Sequence, residues 1–294
     1  MTNRIAADDN SAPAPYIAPM IDPIQILPGR AILSLTGPDT LTLLERLVTN
    51  NTSDWDAGAA RYGALLTPQG KVIADFIALR TQTGVLLDVA KDHIAGLAKR
   101  LKMFRLRSDV TIEQCEDLAV AVTATPQDGA FADPRSAHLP LRAFVPMQDG
   151  QTSGDYDDKR VANGMAEQGE DFDSTQVFPA DINMDLHGGV DLKKGCFVGQ
   201  EVVSRMHRRG NIRRRTIELT GTDLVKGQQV LGDALLGEIT SAANDGCSAL
   251  ARVRVDRLAK ADAAKQALTV NDNPVILKKP DWLQQEMAAF IGDD

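Results

Sequence analysis

The sequence predicts an α+β protein with antiparallel sheets, helices and a small C-terminal β-barrel. Strand and helix patterns alternate through residues 21–114, and two of the strands there are joined by a tight turn. Residues 213–294 instead carry short strand patterns separated by turn residues. Tight turns favour antiparallel pairing, and regularly spaced short strands are typical of a small barrel.

Length and composition indicate an ordinary globular chain of several domains. Its 294 residues suffice for two or three domains with a large core, and 43% of them are hydrophobic and 24% charged. We expect domains at residues 21–114, 115–212 and 213–294, the first two of which can be interwoven. Residues 1–20 lack an apolar run and carry little basic charge, so we expect a disordered leader that is neither a secretory signal nor a transit peptide.

Charge and cysteine content narrow the function classes. The net charge of −8 argues against general affinity for nucleic acid or anionic membranes, and no run of about 18 apolar residues could span a bilayer. Cys115, Cys196 and Cys247 are far apart and form no C-x-x-C pair, so neither a disulfide framework nor a self-contained metal site is predicted. A reducing compartment fits best, and we expect the cytoplasm.

The N-terminal part reads as strand, helix, hairpin, strand and helix. A helix opens at Pro38, and its leucines recur on one face. The turn at residues 67–70 has Pro and Gly where a β-turn favours them. The predicted strands are residues 30–35, 59–66, 71–80, 85–90, 110–114 and 118–123, and the later helices are residues 92–106 and 155–168.

The C-terminal part is predicted as a barrel that a helix follows. Glycines and the Asn-Asp-Asn-Pro run at residues 271–274 form predicted turns that separate the strands. The predicted strands are residues 216–219, 229–231, 235–240, 249–255, 268–270 and 275–277, and the helix covers residues 280–290.

The segment around Cys196 carries the clearest chemical signal. Gly195 and Gly199 bracket the cysteine and indicate a shaped loop, and residues 200–209 have helical spacing without Gly or Pro. Cys196 would then precede a helix N-terminus, where the helix dipole and the lysines at residues 193–194 favour the thiolate. The alternative is a structural cysteine, since unpaired cysteines often act as small buried hydrophobes.

The sequence KGCFVGQE at residues 194–201, with Arg205 after it, resembles the K-G-C-[FY]-x-G-Q-E signature of the YgfZ family. That family comprises folate-binding relatives of the glycine cleavage T protein, an aminomethyltransferase. The N-terminal part is similar as well, with Thr-Asn-Asn at residues 49–51, Tyr62, and a Gly-x-x-x-x-Asp pattern ending at Asp75. The resemblance covers most of the chain and implies a T-protein-like multidomain fold.

The resemblance also implies site residues. Asp75 takes the position of the T-protein aspartate beside the reacting nitrogen of tetrahydrofolate, although it could instead be the polar-facing member of an alternating strand. Gln200 and Glu201 are candidates for the pterin edge, or are merely favourable residues at a helix start. The implied functional residues are Cys196 and Asp75 as catalytic groups, and Tyr62, Asp75, Asn183, Lys194, Phe197, Gln200, Glu201 and Arg205 as cofactor-binding groups.

The function implied is that of a folate-binding accessory factor for assembly or repair of iron–sulfur enzymes, including radical enzymes of tRNA modification. Cys196 cannot hold a cluster alone, because clusters take four ligands, so a cluster would be shared transiently with a partner. The expected ligand is tetrahydrofolate or a derivative, and the expected partners are assembly proteins or client enzymes.

The alternative is a working aminomethyltransferase in which Asp75 stabilises an iminium-like transition state. An RNA-binding module, suggested by the arginines at residues 205–215, lacks interleaved aromatics and is least favoured.

Overall fold

The computed structural model describes residues 24–147, 154–210 and 212–291. The predicted leader, residues 1–20, lies outside the described residues. Across the three described segments, no helix is long and apolar enough to cross a membrane.

The described residues form sixteen strands and six α-helices. The strands are β1 (Gln25–Ile26), β2 (Arg30–Thr36), β3 (Ala60–Leu66), β4 (Val72–Arg80), β5 (Gly84–Ala90), β6 (Thr111–Cys115), β7 (Leu118–Thr123), β8 (Ala130–Phe131), β9 (Leu141–Pro146), β10 (Arg214–Thr220), β11 (Gln229–Leu231), β12 (Leu235–Ala242), β13 (Ser248–Arg254), β14 (Thr269–Val270), β15 (Asn273–Pro274) and β16 (Ile276–Leu277). The helices are α1 (Thr40–Leu47), α2 (Ile94–Arg105), α3 (Tyr156–Ala162), α4 (Gln200–Arg208), α5 (Val255–Ala263) and α6 (Asp281–Ala289).

A five-stranded antiparallel sheet of order β3-β4-β5-β2-β6 organises the N-terminal part. Helices α1 and α2 cover one face of this sheet and bury leucines such as Leu43, Leu44, Leu97 and Leu101 against it. The predicted hairpin is confirmed by β3 and β4, which pair from Ala60↔Leu79 to Leu66↔Val72.

The opposite face of the five-stranded sheet packs on a four-stranded sheet of order β1-β7-β9-β8. Their shared core contains Ile32 and Leu86 from the first sheet and Val120 and Phe144 from the second. Side chains of strands from both sheets therefore meet in the centre of the molecule, and the candidate site lies there.

The C-terminal strands form a seven-stranded sheet of order β15-β14-β11-β12-β13-β10-β16. It curls into a nearly closed barrel around a separate apolar core, which α5 and α6 help to fill. The predicted strands and final helix of this region are confirmed to within a few residues.

Besides the two-residue strands β1, β8 and β15, which were not predicted, three longer elements differ from the sequence prediction. The helix expected over residues 155–168 ends at Ala162, because Gly164 adopts a φ of 73° that a right-handed helix cannot contain. Helix α5 was missed, since its start at Val255 merges with the apolar pattern of β13. Strand β9 was also missed, because Arg142 interrupts its apolar run.

Candidate functional site

Tyr62 and Asp75 form a buried pair on the inner face of the five-stranded sheet. Tyr62 lies opposite Ile77 and Asp75 opposite Ala64, so both side chains point to the same face. The Tyr62 hydroxyl donates a 2.9 Å hydrogen bond to Oδ2 of Asp75. Oδ1 of Asp75 is buried and has no hydrogen-bond partner within the described part of the chain. The pair therefore offers one free carboxyl oxygen inside the protein.

Burial controls the ionisation of this pair. It raises the pKa of Asp75, and the Arg30 guanidinium only partly opposes that rise. Burial also raises the pKa of Tyr62 well above its usual value, and the Asp75 charge adds to this effect. A carboxyl group in this setting can accept a proton easily, so its free oxygen can either donate to or accept from a polar ligand.

A buried ionic cluster lies beside the pair, and sequence reasoning missed it. Its side chains are at most 7% exposed. Arg135 joins the cluster to the pair, since its guanidinium carbon lies 5.9 Å from the centroid of the Tyr62 ring. The buried ionic cluster consists of Arg30, Asp88, Asp133, Arg135, Arg142, Tyr156 and Glu167.

Arg142 of β9 is the centre of this cluster. It contacts Asp88 of β5 across the two sheets, Asp133 at 2.8 Å and Glu167 at 3.1 Å. Burial alone would raise the pKa of Glu167, but Arg30 and the neighbouring arginines hold it well below its usual range. The only sequence signal was a charged residue inside each of two apolar strand patterns, at Asp88 and Arg142.

A cavity of about 340 Å³ opens next to the cluster and is lined by Arg30, Tyr156, Glu167 and Gln168, among others. Gln168 connects this cavity to Asp75, because its Oε1 accepts a 3.3 Å hydrogen bond from the Asp75 backbone N–H. A volume of this size admits a planar bicyclic ring.

The loop that carries Cys196 is fastened to the end of α1. Nζ of Lys194 donates to the carbonyls of Val48 and Asn50, at 2.9 and 2.6 Å. Nδ2 of Asn50 in turn donates to the carbonyls of Tyr62 and Gly188, each at 2.8 Å. The Thr-Asn pair of the N-terminal part and the KGC motif are thus parts of one structural unit.

In this arrangement Lys194, a predicted ligand contact, bonds to the protein itself. Its side chain is fully buried, and its ammonium also lies 3.5 Å from Oε2 of Glu45. Burial lowers the pKa of this lysine. Its ammonium donors are used by the protein in this structure, and the contact of Lys194 with a ligand stays a prediction.

Gly199 sets the start of α4 as expected. It has a φ of 82° and forms the N-cap, and a Cβ there would lie 2.5 Å from the Thr67 carbonyl oxygen. Cys196 is exposed and precedes this cap by three residues, while Phe197 is buried in the core shared by the two sheets. The thiol therefore faces solvent on a loop whose neighbouring aromatic ring anchors it.

The remaining predicted residues divide into separate locations. Gln200 is partly buried, whereas Glu201 and Arg205 are exposed on α4. No hydrogen bond or ion pair within the described residues links any of these three to Asp75. Tyr62 and Phe197 are both buried in the apolar core that the two sheets share, and their contact with a ligand stays a prediction.

Asn183 lies at the junction with the barrel. Its Nδ2 donates to the Thr216 carbonyl at 2.6 Å, while its buried Oδ1 has no partner in the described segments. It lines a cavity of about 170 Å³ with His187 and Trp282. Burial lowers the pKa of His187 to about 4, and its Nε2 is likewise without a partner among the described residues. No catalytic role was predicted for His187.

The described residues contain no cluster of metal-ligating side chains. Within residues 24–147, 154–210 and 212–291, no group of three or more His, Cys, Asp or Glu side chains is arranged to hold a metal ion. Cys115, Cys196 and Cys247 are all free thiols.

The fold is that of the glycine cleavage T protein. A crystal structure of the glycine cleavage system aminomethyltransferase T from Bartonella henselae superposes with a TM-score of 0.66, covering 88% of this chain and 85% of that one at 13% identity. This match confirms the predicted fold class. Residues 31–124 match the GCVT N-terminal domain, and residues 213–285 match the CAF17 C-terminal beta-barrel domain.

The chain also has curated relatives with a common name. It is 31% identical over 226 residues to the human "Iron-sulfur cluster assembly factor IBA57, mitochondrial", covering 64% of each chain. It is 29% identical over 225 residues to the homologue from Mycosarcoma maydis and 30% over 216 residues to that from Pyricularia oryzae. The chain spans only 56 and 55% of the length of these two fungal proteins.

The relatives correct one prediction. All three carry "mitochondrial" in their names. The predicted cytoplasmic location is therefore wrong by this comparison. The inference from a reducing compartment failed because free thiols do not distinguish one reducing compartment from another.

Proposed function

We propose that this protein is a folate-binding accessory factor for the assembly or repair of iron–sulfur clusters. The single observation that carries the proposal is the buried Asp75 carboxyl, whose Oδ1 has no partner in the described part of the chain. The names of the relatives support the iron–sulfur role, and the T-protein fold supports the folate. We infer that the chain is of the YgfZ type, with radical enzymes of tRNA modification among its clients.

The residues fit tetrahydrofolate. Its pterin ring presents donors and acceptors along one edge, and an unpaired buried carboxyl oxygen is a suitable partner for that edge. Tyr62 holds the other carboxyl oxygen, and Gln168 fixes the Asp75 backbone, so the free oxygen is held in place before a ligand binds. When bound, tetrahydrofolate supplies ring nitrogens that can carry a one-carbon unit.

Cys196 suits a second task at the surface. Its thiol is exposed on a loop that Lys194 and Phe197 anchor, so a partner can reach it without opening the core. An iron–sulfur cluster takes four ligands, and this loop supplies one. We therefore treat the cluster as cargo that Cys196 contacts while the partner provides the other ligands.

An aminomethyltransferase is the second candidate. The fold match and the position of Asp75 favour it. An aminomethyltransferase function does not explain an exposed cysteine on a loop that is held by hydrogen bonds, whereas an assembly-factor function does. We therefore prefer the assembly factor.

Calorimetric titration with tetrahydrofolate tests the first task. We expect the wild type and Cys196→Ser to bind equally, and Asp75→Asn to bind about tenfold or more weakly, since the neutral amide cannot form the charge-assisted hydrogen bond of a carboxylate. Asp128→Asn, at an exposed position, is the matched control. A wild type that gives no binding signal contradicts the folate part.

Restoration of an iron–sulfur enzyme in cells that lack this protein tests the second task. Cys196→Ser should fail to restore its activity, whereas Cys247→Ser, at another exposed thiol, should succeed. Equal restoration by the two variants would contradict the role of Cys196.

A further inference from the structure

A cavity of about 390 Å³ lies on the outer surface of the barrel. Ala251 and Val253 of β13 point into the barrel core, so the alternating Arg252 and Arg254 point outward. No member of the buried ionic cluster lines this cavity. Its charged lining residues within the described chain are Arg214, Arg252, Arg254, Arg257, Asp181 and Glu238.

Two of the arginines stand side by side on neighbouring strands. Arg214 of β10 lies directly opposite Arg254 of β13. Like charges at opposite positions destabilise a sheet. Arg254 is compensated by Asp256, which accepts from its Nε at 2.8 Å and its Nη2 at 2.6 Å. Arg214 has no hydrogen-bond or ion-pair partner among the described residues, so its N–H donors are available to a ligand, while its charge interacts through space with that of Asp181.

The other two arginines are held by hydrogen bonds to backbone carbonyl oxygens. Nη1 of Arg252 donates to the Asp171 carbonyl oxygen at 3.3 Å, and Nη1 of Arg257 donates to the Leu235 carbonyl oxygen at 2.7 Å. Carbonyl oxygens orient a guanidinium group but leave its positive charge in place. The remaining N–H donors of both groups are available to a ligand.

The two carboxylates at the cavity do not balance these charges. Oδ2 of Asp181 accepts a 2.9 Å hydrogen bond from the Phe178 backbone N–H, and its carboxylate interacts with the charges of Lys71, Arg214 and Arg252 together. Glu238 lies opposite Arg252 on the neighbouring strand and can compensate only that one arginine. The cavity thus has an excess of positive charge, which attracts anions.

We propose that this cavity binds a small polyanion with two or more neighbouring phosphate or carboxylate groups. Guanidinium groups form paired N–H···O bonds with both kinds of oxyanion, and several of them converge here on one cavity. The strands and the first turn of α5 hold the arginines in place, so binding needs no rearrangement of the backbone.

Titration calorimetry at low salt with two probes tests this site and identifies the oxyanion. Pyrophosphate represents the phosphates and citrate the carboxylates. We expect saturable binding of at least one probe, weakened about tenfold to a hundredfold by Arg214→Gln and also weakened by Arg257→Gln. Arg100→Gln, on the exposed face of α2, changes the net charge equally and should leave binding unchanged.

Stronger binding of pyrophosphate would assign the site to phosphorylated ligands, and stronger binding of citrate to polycarboxylates. Absence of saturable binding for both probes overturns the proposal. It is also overturned if Arg100→Gln weakens binding as much as Arg214→Gln, because the attraction would then be general. Neither result bears on folate binding at Asp75, so the two proposals fail separately.

Discussion

The Tyr62 hydroxyl donates its hydrogen bond to Oδ2 of Asp75 inside a core where the Asp75 residue is only 3% exposed. One carboxyl oxygen is thereby satisfied and the other left free in the described structure. The buried, unpaired oxygen of Asp75 lowers the stability of the fold, and the same oxygen can bind a ligand, as is common for buried functional groups.

Asp75→Asn should change how stability depends on pH. Burial raises the pKa of Asp75 in the folded protein above its ordinary value of 3.8. Below this ordinary pKa the Asp75 carboxyl is protonated in both the folded and the unfolded protein, so no charge has to be buried on folding. As the pH rises, the unfolded chain ionises first, so the wild type loses stability until the pH exceeds the folded pKa. The Asn side chain cannot ionise, so the stability of the Asp75→Asn variant does not fall with rising pH for this reason.

Urea unfolding of wild type and Asp75→Asn from about pH 3 to about pH 7 measures this difference. We expect the free energy of unfolding of the variant to improve relative to wild type as the pH rises. A relative stability that is constant across this range would contradict the burial effect.

Glu167→Gln should be strongly destabilising. It removes the anionic partner that Arg135 and Arg142 share at 3.1 Å each, and leaves buried positive charge uncompensated. We expect a loss of about 3–5 kcal/mol in the free energy of unfolding. Glu170→Gln, three residues later and exposed, is the control and should change stability little.

The same variant makes a second, pH-dependent prediction. Because the folded pKa of Glu167 lies below its ordinary value of 4.5, its ionised form stabilises the fold above that pH, and this contribution is lost as the pH falls. The difference in the free energy of unfolding between wild type and Glu167→Gln should therefore become smaller as the pH falls. A difference that becomes larger at acidic pH would argue against this assignment.

Gly199→Ala should destabilise the start of α4. Its φ of 82° is unfavourable for any residue with a Cβ, and the new methyl group would lie 2.5 Å from the Thr67 carbonyl oxygen. We expect a loss of about 2 kcal/mol or more, measured by chemical denaturation. Gly195→Ala is the control in the same loop, since a Cβ there meets nothing within 4 Å. Equal effects of the two substitutions would disprove the close packing at Gly199.

Lys194→Met should loosen the cysteine loop. It removes both hydrogen bonds to the end of α1, at Val48 and Asn50, and we expect a loss of about 1–3 kcal/mol. Faster hydrogen exchange at residues 193–199 would show that the loop has come free. Lys193→Met, at an exposed position, should leave exchange unchanged. Unchanged exchange in Lys194→Met would mean that other contacts hold the loop.

Sequence patterns alone determined much of the fold. Alternating apolar residues located β3 and β4, helical spacing located α2, and turn residues between short strands indicated the barrel. These features are local, because strand and helix periodicity and turn chemistry depend on residues a few positions apart. The same local signals placed Cys196 on a loop before a helix.

Only the tertiary structure decided which distant side chains meet. Arg142 contacts Asp88 from 54 positions away, and Lys194 reaches a carbonyl 146 positions earlier. Periodicity shows which face of a strand is buried, but the register and packing of two sheets determine which buried charges become partners. For that reason the sequence identified Asp75 and Cys196 as candidates, while the buried ionic cluster and the structural role of Lys194 emerged only from the fold.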